Sequence, residues 1–148
     1  VANHVRQQIR EALATVVTSL ATTGARVYQS RVVQLEPNEL PALLIATNSE
    51  SIDVLDFVSN PSLERTLTIN VTAVAKAVSN LDDTLDQIIK EVEVAVSTSN
   101  TLGGLVKDVV LTGIEIEMNA DAEMPTGQAV LTFNANYYTR AQAPDVSL

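Results

Sequence analysis

From Leu63 to Ala75 the chain alternates: Leu67, Ile69, Val71 and Ala73 fall on one side, Thr66, Thr68, Asn70 and Thr72 on the other. A period of two belongs to a β-strand, whose successive side chains point to opposite faces. One face of such a strand is packed and the other wetted, so the rest of the chain must supply a layer that covers the apolar side. Two segments have the spacing to do so. Val5, Ile9, Ala12, Leu13, Val16, Val17 and Leu20 recur at three and four, which predicts a helix over about 3–21 that stops before Gly24. His4, Arg6, Gln7, Arg10, Glu11 and Thr15 form its polar side. Asn80 is placed to cap a second helix, with Asp82 and Asp83 in the first turn, where carboxylates meet unpaired N–H groups. Leu81, Leu85, Ile88, Ile89, Val92 and Val96 make its apolar stripe, and the helix runs to about Ser97.

Further strands are expected from Arg26 to Leu35 and over 40–47, with Pro41 in the first position of the latter and Glu36-Pro37-Asn38-Glu39 as the turn between them. So short a connector favours an antiparallel hairpin. Val109 to Met118 and Gln128 to Tyr138 read as a second hairpin, with Pro125-Thr126-Gly127 in its connector and Gly113 marking a bulge or close backbone approach. Ile114, Ile116 and Met118 share a face, and Leu131, Phe133, Ala135 and Tyr137 are candidates for the same core. The order α-β-β-β-α-β-β predicts an α+β domain, a mainly antiparallel sheet of about five strands with both helices on one face. At 148 residues the chain is long enough for one such core, assigned to 1–140, and 141–148 reads as a flexible C-terminal tail.

Residues 48–62 fit poorly. Ile52, Val54, Leu55, Phe57 and Val58 lie beside Asp53 and Asp56 with no sustained period. The segment either extends the flanking strands into a longer hairpin or forms a loop that contacts a partner; Ile52, Asp53, Leu55, Asp56 and Phe57 are then the interface candidates.

Residue types for catalysis are scarce. There is one His and no Cys. His4 falls on the polar side of the first helix, where a solvated histidine is expected, and no Ser-His-Asp set assembles around it. The carboxylates of Asp82, Asp83 and Asp86, of Glu115 and Glu117, and of Asp121 and Glu123 are accounted for by a helix start, a wetted strand face and a turn respectively. They form no calcium-loop pattern, and Gly103-Gly104 lacks the Lys-Ser or Lys-Thr of a phosphate loop. No metal, cofactor or enzymatic activity is therefore expected. A net charge of −9, from 18 acids and 9 bases, argues against phosphate-driven nucleic-acid binding, and five aromatics are too few for a base-stacking platform. No apolar run is long enough for a membrane span, and no secretion signal opens the sequence, so a cytoplasmic origin is favoured. What remains is contact: the wetted sheet face, rich in Thr and Asn, is either solvent surface or packs against another copy. A small acidic module that binds another protein is the rival class.

Several stretches, taken in order, resemble the lambda-like tail terminator proteins of phages: His-Val-Arg-Gln-Gln-Ile-Arg-Glu-Ala-Leu at 4–13, Gly24 to Tyr28, Glu39 to Leu44, Leu63 to Leu67, Asn80 to Asp86, Glu91-Val92-Glu93, Leu131-Thr132-Phe133 and Tyr137-Tyr138-Thr139. The resemblance implies an α+β structural subunit of the virion, without catalysis, assembled in the host cytoplasm. It implies a homo-hexameric ring that caps the tail tube, stops its polymerisation and presents a surface for head-tail joining, with the tube protein and the head connector or neck protein as partners. Another neck, tail-completion or tube-like subunit is the neighbouring alternative. In such a ring Glu115, Glu117, Asp121 and Glu123 are candidate channel-lining acids, past which DNA moves without specific binding.

Overall fold

The alternating segment is the central strand of a five-stranded mixed sheet, mostly antiparallel, with the order β1-β2-β3-β5-β4. The computed structural model describes residues 3–29, 40–76, 80–119 and 126–148. Its elements are α1 (Val5–Val16), β1 (Val27–Gln29), β2 (Ala42–Val54), β3 (Ser62–Lys76), α2 (Leu81–Thr98), β4 (Asp108–Asn119) and β5 (Thr126–Arg140), with a 3-10 turn at Leu102–Gly104. The α+β class and the order α-β-β-β-α-β-β are as the sequence predicts.

β3 and β5 pair along their whole length, from Ser62 opposite Arg140 to Lys76 opposite Thr126. Every second residue points under the helices: Leu67, Ile69, Val71 and Ala73 on β3, and Ala129, Leu131, Phe133, Ala135 and Tyr137 on β5, all buried. Both helices lie on this one face, with Val5, Ile9 and Leu13 of α1 and Leu85, Ile88, Ile89, Val92 and Val96 of α2 in the same apolar cluster. Each such side chain contributes about 1.5–3 kcal/mol on leaving water. Gly127 lets α2 approach closely, because a Cβ there would stand 2.9 Å from Leu85 Cδ1 and 3.2 Å from Leu81 Cδ2. Glu91 ties α2 to the α1–β1 connection, accepting from the Thr22 backbone N–H at 2.9 Å and its hydroxyl at 2.7 Å.

Four local expectations are corrected. α1 ends at Val16, not near 21, and the chain turns through Ser19 at positive φ and Gly24. The run Thr15-Val16-Val17-Thr18 is β-branched, and Thr18 Oγ1 donates back to the Ala14 carbonyl, both of which weaken a helix end. β1 runs parallel to β2, Val27 to Gln29 beside Leu43 to Ile45, so the expected antiparallel hairpin is absent from the described strands. A parallel pair needs a crossover of about a dozen residues, which 30–41 has the length to supply; the rest of the strand expected to Leu35 and the turn at Glu36 to Glu39 lie outside the described residues. Asn80 does not cap α2 with its side chain; it sits at φ 59°, a left-handed backbone that Asn tolerates, and its carbonyl accepts from Thr84. His4, expected to be an idle surface residue, is the side-chain cap of α1: its Nδ1 accepts from the Arg6 N–H at 3.0 Å.

Residues 48–62 belong to a long hairpin. β2 continues to Val54, β3 starts at Ser62, and a bulge between Thr47 and Ser49 inserts Asn48. The bulge moves the inward set from Leu43, Ile45 and Thr47 to Glu50, Ile52 and Val54, which is why no single period was visible. β4 carries a matching bulge between Leu111 and Gly113, at the same level across the sheet, in accord with the expectation at Gly113. Residues 141–148, expected to be flexible, fold back on the domain: Val5 N–H donates to the Pro144 carbonyl at 2.9 Å, Leu148 N–H to Tyr138 at 2.9 Å, and Ser147 Oγ to Leu105 at 2.7 Å.

Candidate functional site

Three surfaces follow from this arrangement: the hairpin tip, the uncovered sheet face and the two sheet edges. The tip carries the most exposed large apolar side chain among the described residues, Phe57. Ile52 and Val54 point to the helix-bearing side of the sheet, yet no helix reaches them, and they are 48% and 57% exposed. Leu55 and Val58 are exposed as well, and Phe57 is 102% exposed at the turn. The backbone that presents them is held: Leu55 N–H donates to the Ser62 carbonyl at 2.9 Å, the Asp56 carboxylate accepts from the Ser62 N–H at 3.3 Å, and Asn60 accepts from Gln142 N–H at 2.9 Å. Of the interface candidates, Ile52, Asp53, Leu55 and Phe57 are exposed together, while Asp56 is half-buried and braces the turn.

The face opposite the helices is a polar plane. Thr68 bonds Asn134 at 3.1 Å, Thr132 bonds Asn70 at 3.3 Å, and Glu64 accepts from Tyr138 at 2.7 Å and Asn136 at 3.4 Å. The hydrogen bond to Glu64 raises the Tyr138 phenol above its ordinary value, so it stays a neutral donor. These cross-strand pairs fix the side chains in place. Glu115 and Glu117 extend the same face on β4, opposite Val130 and Gln128, and Glu117 accepts from Gln128 at 3.2 Å. Asp121 and Glu123, the other two candidate channel acids, lie outside the described residues.

Where α1 meets β2, a buried polar cluster separates the packed half of the hairpin from its tip. The Glu50 side chain, 4% exposed, accepts from Arg65 at 2.8 Å and from Arg6 at 3.4 Å, and Tyr137 donates to its second oxygen. Arg65 also donates to Thr139 at 2.9 Å. Burial and the neighbouring Glu50 carboxylate push the Tyr137 phenol up, so it remains protonated. Every oxygen of the carboxylate has a donor, as a buried charge requires. The sequence reading placed Tyr137 in the core and missed Glu50 and Arg65. The signal was available in Arg65, a cation in the inward register between Leu63 and Leu67. Burial and the Arg6 and Arg65 charges hold His4 below its ordinary value, so it stays a neutral acceptor at the α1 start.

β4 is the outer edge on the other side. Its Ile114, Ile116 and Met118 register with Leu131, Ala129 and Gly127 on the helix-bearing face, but they overhang α2 and remain 39%, 51% and 44% exposed. With Leu85, Asp82 and Asp86 of α2, Ile116 and Met118 line a shallow groove. Among the described residues no three His, Asp or Glu side chains gather to hold a metal ion, and no helix is long and apolar enough to cross a membrane.

Compared with known proteins, residues 3–137 match the model of a family described as phage minor tail protein U. No curated protein matches the chain. Among solved structures it is similar to a chain of the virion of a native gene transfer agent (GTA) particle, at 15% identity and a TM-score of 0.43, covering 90% of this chain and 92% of that one.

Proposed function

This chain belongs to the phage minor tail protein U family and is thus a structural protein of a phage tail, and from that premise we propose that it is the tail terminator. Six copies close into a ring on the end of the finished tube, stop further polymerisation and offer the head connector or neck protein a surface to join. The ring assembles in the host cytoplasm and stays in the virion.

The observation that carries this reading is the hairpin tip. A monomer gains nothing from holding Ile52, Leu55 and Phe57 in water on a hydrogen-bonded turn, whereas a subunit that stacks on another protein buries them. The uncovered face suits the channel side: it is polar, its side chains are pinned to one another, and Glu115 and Glu117 repel a polyanion in transit. Each copy carries −9, so DNA passes without being retained.

Electron microscopy of the purified protein, alone and mixed with tail tubes, tests the proposal. Six-fold rings and tubes capped at one end are expected. Incorporation along the length of tubes would identify a tube-like subunit instead, and monomers under every condition would favour an acidic binding module.

A further inference from the structure

The hairpin tip overhangs the helix layer, and residues 141–148 run from it to that layer. Beyond the hairpin's own bonds, the turn at 55–61 is held at Asn60 and Pro61. Ala141 N–H donates to the Pro61 carbonyl and Gln142 N–H to the Asn60 side chain, each at 2.9 Å, while Arg140 reaches the Asn60 carbonyl at 3.5 Å. From there the segment crosses to three other places. The Pro144 carbonyl accepts from the Val5 N–H at 2.9 Å, one of the N–H groups that a helix start leaves without partners, and the Asp145 carbonyl accepts from the Gln8 side chain at 3.2 Å. Ser147 Oγ donates to the Leu105 carbonyl at 2.7 Å. The Ala143 and Leu148 N–H groups donate to the Arg140 and Tyr138 carbonyls at 3.0 and 2.9 Å, on a stretch of β5 that β4, which begins opposite Asn136, does not reach.

This strap has many fastenings and no anchor. Ala141, Gln142, Val146 and Leu148 are exposed, the other four residues are half-buried, and the apolar cluster of the described residues includes none of them. Each of its hydrogen bonds exchanges for one with water and contributes little by itself. A segment that buries no apolar side chain opens at a small part of the cost of unfolding the domain. Its contacts lie in series along the chain, so the fastenings at α1 and Leu105 are what keep the end at Asn60 in place.

We infer that 141–148 is a positioning strap for the hairpin tip: fastened at α1 and Leu105, it fixes how Leu55, Phe57 and Val58 are presented, and its opening loosens the tip while the core stays folded. With the strap closed, a partner that buries the tip meets a preset surface. With it open, the same partner must order the turn as it binds, which weakens binding. The inference concerns the free subunit, and only this consequence for docking rests on the tail-terminator reading.

Hydrogen exchange on the full chain tests it, with the strap released at its far end. Gln8→Ala/Ser147→Ala removes two side-chain donors that touch neither Asn60 nor Pro61. With native circular dichroism retained, the amides of Val5, Ala143 and Leu148, and with them that of Leu55, should exchange at least about ten-fold faster than in the wild type, while those of Ile69 and Phe133 keep their protection. Leu148→Pro, which lacks the N–H that meets Tyr138, is the second variant and should act alike. Strap amides that exchange only through global unfolding, a strap that stays closed in both variants, or a Leu55 amide indifferent to an open strap overturns the inference. Capping of tail tubes should fall about ten-fold in the variants. A wild type that caps no tubes overturns the terminator reading and leaves the exchange result standing.

Discussion

The base and the tip of the β2–β3 hairpin are built from the same kinds of residue and meet opposite fates. Leu43 and Ile45 are buried at the base, whereas Ile52 and Val54, on the same strand and facing the same side, are half exposed. Nothing in the side chains distinguishes them. α1 covers the first pair, and its start at Val5, together with the Glu50 cluster beneath Arg6, marks where cover stops. The burial of a strand is thus set by the layer above it, and the strand's own alternation says only which residues are available to be covered.

The border should be the most sensitive place. Arg65→Ala leaves the buried Glu50 carboxylate with the Tyr137 hydroxyl and only Arg6, at 3.4 Å, as a countercharge, and breaking such a pair costs about 3–5 kcal/mol; urea denaturation should show a midpoint shift of that scale. A loss below about 1 kcal/mol would mean water reaches Glu50 and the border is not dry. At the base, Ile45→Ala should cost about 2–5 kcal/mol. An equal cost for Ile52→Ala would break the comparison, because it would require cover over the tip in the monomer. The α1 start sharpens it through pH. His4 is held neutral in the fold and protonates more readily when unfolded, so the unfolded state binds the extra proton and stability falls as pH drops below about 6.5. The dependence levels off below the lower folded value. His4→Gln should remove that part of the pH profile and cost about 1 kcal/mol as a weakened cap. The smallest effect belongs to the tip: Phe57→Ser should change stability by less than about 0.5 kcal/mol while impairing assembly on tail tubes. Hydrogen exchange on free and assembled protein would show whether 50–58 gains protection, and the same experiment measures how firmly 141–148 is held.

β3, β5 and α2 were legible to within a residue or two because each has one uninterrupted period and one buried face. The bulge at Asn48 hid the distal part of β2, since an inserted residue reverses which positions point inward, whereas the bulge of β4 was signalled by Gly113 and left that strand legible from Val109 to Met118. The direction of β1 was not legible: a strand's own residues do not state whether its neighbour runs parallel, and the short gap to β2 favoured the wrong alternative. The exposed acids and the apolar segment around Phe57 were visible as residues. Their placement, on an overhanging edge and an uncovered tip, depended on where two helices end. The Glu50 cluster was missed because it joins residues of α1, β2, β3 and β5, which only the fold brings together.

The pairing of β3 with β5 has a consequence in time. Each outer hairpin closes a short loop, β2 with β3 and β4 with β5. The central joint instead brings Ser62 to Arg140 and encloses α2 between its two strands. Closing so long a segment spends chain entropy before any contact repays it, and non-local pairings of this kind slow folding. The two hairpins are therefore expected to form before the seam between them, where Ile69 meets Phe133 and Val71 meets Leu131, an order that φ-values at these positions would read.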